Sequence, residues 1–106
     1  MEVSTSAGVI LKIIEDRKRI HSKELLELTR NLRRKTDIQL YSYKIDYTGK
    51  INSADYWDDL SLLTSSGLIG LIGENPTIVI TERGLNTIKE LGLELPSQIA
   101  EVLTEI

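Results

Sequence analysis

Apolar residues recur along this chain at intervals of three and four, broken once by a run in which they crowd together. From Ser6 to Arg19, Val9, Ile10, Ile13 and Ile14 fall on one stripe, which predicts a first amphipathic helix. "HS" at 21–22 interrupts it. Ser22 is a natural N-cap for a second helix from Lys23 to about Lys35, with Leu25, Leu28 and Leu32 on one stripe and Leu26 beside it. Thr36 and Asp37 end that helix. Over 38–50, "IQLYSYKIDYTGK", the helical spacing of Ile38, Tyr41 and Ile45 competes with aromatic and β-branched content, and the segment reads as irregular or short strand. At Ser53 the pattern sharpens. "SADYWDDLSLLTSSG" offers an N-cap Ser, acids in the first turns, Tyr56, Leu60 and Leu63 on one face, and Gly67 as a stop. Thr81 caps a further helix through Leu85 and Ile88 to about Leu91, and a last helix begins near Pro96 with Ile99, Val102, Leu103 and Ile106 on its stripe.

The crowded run is "GLIGLIGENPTIVITERG", residues 67–84, with Gly67, Gly70 and Gly73 at even spacing. A phosphate-cradling loop needs glycines whose N–H groups converge on one anion, a helix directly after them, and a Lys beside a hydroxyl residue. Here the glycines alternate with Leu68, Ile69, Leu71 and Ile72, "TIVI" intervenes before the helix, and no Gly-Lys-Ser/Thr occurs. Two short strands joined at "GENP" fit instead, since Gly73 and Asn75 tolerate positive φ and Pro76 has no N–H to give a ladder.

With 106 residues, 41% of them hydrophobic, the chain supports one compact domain, its core spanning about 6–91 with a C-terminal helix at 96–106. Cysteine is absent, which excludes a disulfide framework and thiolate metal sites and fits a reducing interior. The start lacks the positive charge and unbroken apolar run of a signal peptide, and no stretch approaches the twenty or so apolar residues of a membrane span. A soluble cytoplasmic protein with no membrane partner is expected. The net charge of −3 hides a strong asymmetry: Lys12 to Lys35 holds nine of thirteen bases against four acids, net +5, while the rest holds four bases against twelve acids, net −8. Such segregation marks a nucleic-acid footprint or the solvated faces of two charged helices.

The order of elements, and the residues that carry it from Ile51 to Leu91, resemble the winged-helix family of small prokaryotic and archaeal DNA-binding regulators. "DDLSLLTSSGLI" is similar to the family's third helix ending in Gly and running into the first wing strand, and "IVITERGLNTI" to the second wing strand entering a helix through Thr, a charged pair and Gly. "YTGKINS", 47–53, is similar to a Tyr-Gly-Pro-Tyr-Ser segment found before this helix, with two residues inserted and Lys50 where Pro would stand. The resemblance implies an α+β, mostly α fold: a winged helix-turn-helix with a two-stranded β-hairpin wing and an extra C-terminal helix. It also implies a transcriptional regulator binding double-stranded DNA. The cysteine-free composition, rich in Ile, Leu and charge, looks like that of a protein of a thermophilic archaeon or of one of its viruses.

In the usual docking mode the third helix enters the major groove and the wing touches phosphate or the minor groove, so both should be rich in cations and amides. Here the third helix carries Asp55, Asp58 and Asp59 with no base, and the wing tip only Asn75 beside an acid. Candidate DNA contacts therefore fall on the first two helices, Arg17, Lys18, Arg19, Lys23, Arg30, Arg33, Arg34 and Lys35, joined by Lys50 and Asn75. The cluster at the end of the second helix also has a plain electrostatic reason, since cations are favoured at a helix C-terminus. The competing reading is a protein-interaction module whose acidic third helix takes a basic protein partner.

Tyr41, Tyr43, Tyr47, Tyr56 and Trp57 read as core and rim packing rather than base-stacking platforms. His21 is a lone histidine in a charged turn, and Asp58 and Asp59 point about 100° apart on a helix, so neither a catalytic site, a metal site nor a cofactor is expected. The stripe Ile99, Val102, Leu103, Ile106 looks surplus to a core already supplied by Ile10, Ile13, Leu25, Leu28, Leu60, Leu63, Leu85 and Ile88. An exposed stripe of that kind predicts a homodimer interface, with a helix folded back on its own core as the alternative.

Overall fold

The first apolar stripe folds as helix α1 (Thr5–Arg17), capped by Ser4, whose Oγ accepts from the Ala7 N–H. The computed structural model describes residues 4–36, 38 and 40–105. Ala7, Val9, Ile10, Leu11, Ile13 and Ile14 are all buried, so α1 is enclosed on nearly every side instead of being amphipathic on one. It ends before Lys18, whose backbone takes φ 68° and ψ −42°, close to the rare classic γ-turn. That turn sends the chain into a three-residue strand, β1 (Arg19–His21), where helix was expected to continue.

Helix α2 (Ser22–Lys35) follows at once. Its N-cap is His21, with Nδ1 accepting from the Lys23 N–H at 3.3 Å, and not Ser22. Ser22 is buried as the first helical residue: its N–H donates to the Pro76 carbonyl at 2.9 Å, and its carbonyl accepts from the Tyr56 hydroxyl at 2.6 Å. These two distant partners set the boundary, which a local capping rule does not see.

The ambiguous segment is partly strand. β2 (Lys44–Ile45) and β3 (Ile51–Asn52) pair antiparallel, Lys44 opposite Asn52 and Ile45 opposite Ile51. The Asp46 carboxylate closes their turn, accepting from the Thr48 and Lys50 N–H groups and the Thr48 hydroxyl, and Gly49 takes φ 86°. Helix α3 (Ala54–Ser65) starts as expected on Ser53, whose Oγ accepts from the Tyr56 N–H, and buries Tyr56, Leu60 and Leu63.

The glycine-rich run forms β4 (Ile69–Ile72) and β5 (Thr77–Ile80), with Ile69 opposite Ile80 and Ile72 opposite Thr77 around the Gly73–Pro76 turn. β1 adds to the free edge of β5, so the expected two-stranded hairpin belongs to a three-stranded antiparallel sheet in the order β1-β5-β4. Helix α4 (Glu82–Leu91) is capped by Thr81, whose Oγ1 accepts from the Gly84 N–H and donates to the Gly67 and Leu68 carbonyls. Gly84 is the glycine this junction needs, because an added Cβ would collide with the Leu68 carbonyl oxygen and lie 3.0 Å from Ile80 Cδ1. Ile88 enters the core, whereas Leu85 is 39% exposed and is not the core residue its spacing suggested.

Helix α5 (Ser97–Glu105) overturns the idea of a surplus stripe. Ile99, Val102 and Leu103 are 0%, 8% and 8% exposed and join the same buried cluster as α1, α2 and α3, with α5 packed on α2. With Leu85 turned outward, the side chains ahead of Gly92 do not close the core alone, and the apolar stripe is drawn onto α2. The proposed dimer residues Ile99, Val102 and Leu103 are therefore interior, and Ile106 lies outside the described residues. The chain is α+β and mostly helical, and no helix among the described residues is long and apolar enough to cross a membrane.

Candidate nucleic-acid interface

On α3 the residues that face solvent include Asp55, Trp57, Asp58 and Leu62. Asp59 belongs elsewhere: its Oδ2 accepts from the Tyr41 hydroxyl at 2.6 Å and from Ser6 Oγ at 2.9 Å, joining α3 to the start of α1 and to the segment before β2. Burial, reinforced by the bond to Asp59, pushes the Tyr41 hydroxyl far above its ordinary pKa, so Tyr41 remains a neutral donor. The β4–β5 hairpin exposes Leu71, Ile72, Glu74 and Asn75 and adds no cation. An anion approaching α3 and this hairpin would meet Asp55, Asp58 and Glu74.

The bases gather at the two ends of α2. Arg17, Lys18, Arg19 and Lys23 are exposed at the α1–β1–α2 junction, with Arg17 lying 3.9 Å from Asp16 in a surface pair worth little. The Ser22–Pro76 bond draws the turn bearing Asn75 toward this end. Arg30, Arg33, Arg34 and Lys35 occupy the other end, roughly 18 Å along the helix at 1.5 Å per residue. They do not form one continuous patch with the first group. Arg33 is a fold residue: its Nη1 donates to the Tyr41 carbonyl at 2.9 Å, and its guanidinium lies 5.7 Å from the Tyr43 ring centroid. The Tyr43 hydroxyl donates to Thr29 Oγ1 at 2.8 Å, and burial raises its pKa against the opposing pull of that bond and of Arg33 and Arg30. Arg34 and Lys35 remain exposed and Arg30 half-buried.

Lys50 is the candidate that tertiary structure moves furthest. Between α2 and the β2–β3 hairpin lies a cleft of about 340 Å³, walled by Lys23, Leu26 and Glu27 of α2, by Lys50, Ile51 and Asn52, and by Trp57. The Trp57 indole is fixed there, its Nε1–H donating to Asn52 Oδ1 at 2.8 Å and its ring meeting Tyr56 edge-on at 5.1 Å between centroids. Tyr47, at the hairpin tip between Lys44 and Lys50, is 99% exposed, and Ile45 is exposed beside it.

The five aromatics thus divide. Tyr41 and Tyr56 are core, packed edge-to-face at 5.9 Å, and Tyr43 is half-buried, as their packing role predicts. Tyr47 and Trp57 are presented to solvent and to the cleft. Lys44 and Lys50 flanking Tyr47 were the only signal of this in the sequence; the cleft itself has walls from three elements, which no local pattern links. Among the described residues no three His, Asp or Glu side chains converge in a way that would hold a metal ion. No protein-family model matches the chain, and neither a curated protein nor a solved structure gives a significant match.

Proposed function

We propose that this chain is a winged-helix DNA-binding protein, a transcriptional regulator acting in the cytoplasm without a cofactor. In this reading it meets DNA phosphates with the start of α2 and the β2–β3 hairpin, and not with α3. The order of elements supports it: two helices, a link, a third helix passing through Gly67 into a hairpin, and a fourth helix entered through Thr81. The observation that carries the docking mode is the separation of charge. Lys23 and Lys50 converge on one cleft from two elements, while the acids Asp55 and Asp58 occupy the exposed side of α3. Phosphate contact depends on cations that release counterions, which makes the α2 side favourable and the α3 side repulsive.

Titration of duplex DNA at several salt concentrations tests this. Affinity should fall steeply as salt rises, and Lys23→Ala with Lys50→Ala should reduce the slope by about two contacts. Arg33→Ala is a poor probe, since it removes the clamp on Tyr41 and Tyr43. Absence of duplex binding at low salt would end the proposal.

One observation favours the second reading, a protein-interaction module: Trp57 and Leu62 are exposed on the same helix as Asp55 and Asp58, an apolar and acidic surface suited to a basic protein partner. Asp55→Asn with Asp58→Asn separates the two readings. It leaves or strengthens DNA binding in the first and abolishes capture of a basic partner in the second.

A further inference from the structure

We propose that the cleft between α2 and the β2–β3 hairpin holds one unpaired nucleotide of a nucleic-acid strand, its base against Trp57 and its phosphates between Lys23 and Lys50. This deepens the nucleic-acid reading and rests on it. The cleft's volume, about 340 Å³, sits at the lower end of the roughly 300 to 1,000 Å³ of ligand pockets, so it takes one small planar group and not an extended ligand. Its lining combines what a nucleotide needs. Leu26, Ile51 and Trp57 offer apolar surface, and two ammonium groups outnumber the single carboxylate of Glu27.

The ring is ready for stacking. Trp57 is held by Asn52 and Tyr56 yet remains 37% exposed, so little side-chain freedom is left to lose when a base settles on it. Tyr47, wholly exposed at the tip of the β2–β3 hairpin that forms one wall of the cleft, provides a second ring for a neighbouring base. A base inside a duplex has both faces covered by its neighbours, and a cleft of this shape reaches only a base that is unpaired or has been turned out. An acidic peptide would use the two lysines but leave the indole without a role.

Trp57 is the only tryptophan, so fluorescence excited on the red edge of the indole band, where the four tyrosines do not absorb, reports on this cleft. Short oligo(dT) and oligo(U) strands, an abasic strand of equal length, a duplex of equal length and a Glu-rich peptide are titrated at low salt. Saturable quenching is expected with oligo(dT) or oligo(U), the stronger of the two identifying DNA or RNA as the source, and none with the abasic strand or the duplex. Lys23→Ala with Lys50→Ala should lower the salt slope for the single strand by about 1.4, two contacts at about 0.7 each. Glu27→Gln, which removes the one repelling carboxylate, should tighten binding several-fold. Circular dichroism establishes that each variant is folded; all three positions are exposed. Equal quenching by the abasic strand or by the peptide would overturn the proposal. Failure of the oligonucleotides to quench, while a labelled duplex still binds by anisotropy, would overturn it and leave the duplex reading standing. Binding of neither would remove both.

Discussion

Asp55, Asp58 and Asp59 lie within five positions of one helix, but a partner can reach only two of them freely. Asp59 is spoken for by Tyr41 and Ser6, which stand 18 and 53 residues away in sequence. Removing a part-buried acceptor leaves its donors without a partner, at a cost of about 1 to 3 kcal/mol. Asp59→Ala should therefore lower the unfolding free energy measured by urea titration by that amount. Asp58→Ala, at an exposed position, should change stability by less than about 0.5 kcal/mol. Equal effects from the two would mean that the Tyr41–Asp59–Ser6 arrangement contributes nothing. The sequence grouped the three acids because spacing along a helix is all that it records, and the distinction between them comes from elements folded over α3. His21 follows the same logic. Its type and neighbourhood suggested an exposed bystander, whereas its Nδ1 caps α2.

Elements long enough to repeat a pattern were legible, and those too short to repeat one were not. The five helices appear where apolar spacing put them, within two residues at most ends, and the β4–β5 hairpin where its turn residues put it. β1 has three residues and β2 and β3 two each, fewer than any periodicity requires, and β1 finds its partner β5 only through tertiary contact. The β2–β3 hairpin instead depends on its turn, and hence on Asp46. The Thr48 hydroxyl above all, then the N–H groups of Lys50 and Thr48 and the Lys50 charge, hold the Asp46 carboxyl below its ordinary pKa against slight desolvation. An unfolded chain takes up this proton at the ordinary value near 3.9 and thus binds it more readily than the folded turn. The turn's contribution is complete above that value, weakens as the pH falls through it, and is gone below the lowered one. The Thr48 and Lys50 amide resonances should shift over this acid window, and Asp46→Asn should abolish the dependence while leaving an acceptor in place. Amides that stay unchanged throughout the window would show that the turn does not rely on the carboxylate.

At the scale of the molecule, the same apolar stripe can close a core or join two chains, and only its covering decides which. The sequence displayed Ile99, Val102 and Leu103 on one face of α5 without displaying what lies over them; that cover is α2. The cleft was illegible for the same reason, since Lys23, Lys50 and Trp57 become neighbours only after α2, the β2–β3 hairpin and α3 have packed.

The two roles of α5 separate by magnitude. Three buried aliphatic side chains contribute roughly 1.5 to 3 kcal/mol each, together comparable with the whole stability of about 5 to 15 kcal/mol usual for a domain. A chain ending at Leu95 should consequently lose its cooperative urea transition, whereas removing a dimerisation helix would leave a folded monomer. Ile99→Ala, a milder change at a fully buried position, should cost about 2 to 5 kcal/mol. Its effect should be the same at low and high protein concentration, because folding linked to association would make the midpoint rise with concentration. A truncated chain that remains folded, together with a midpoint that climbs with concentration in the intact chain, would return α5 to the subunit interface.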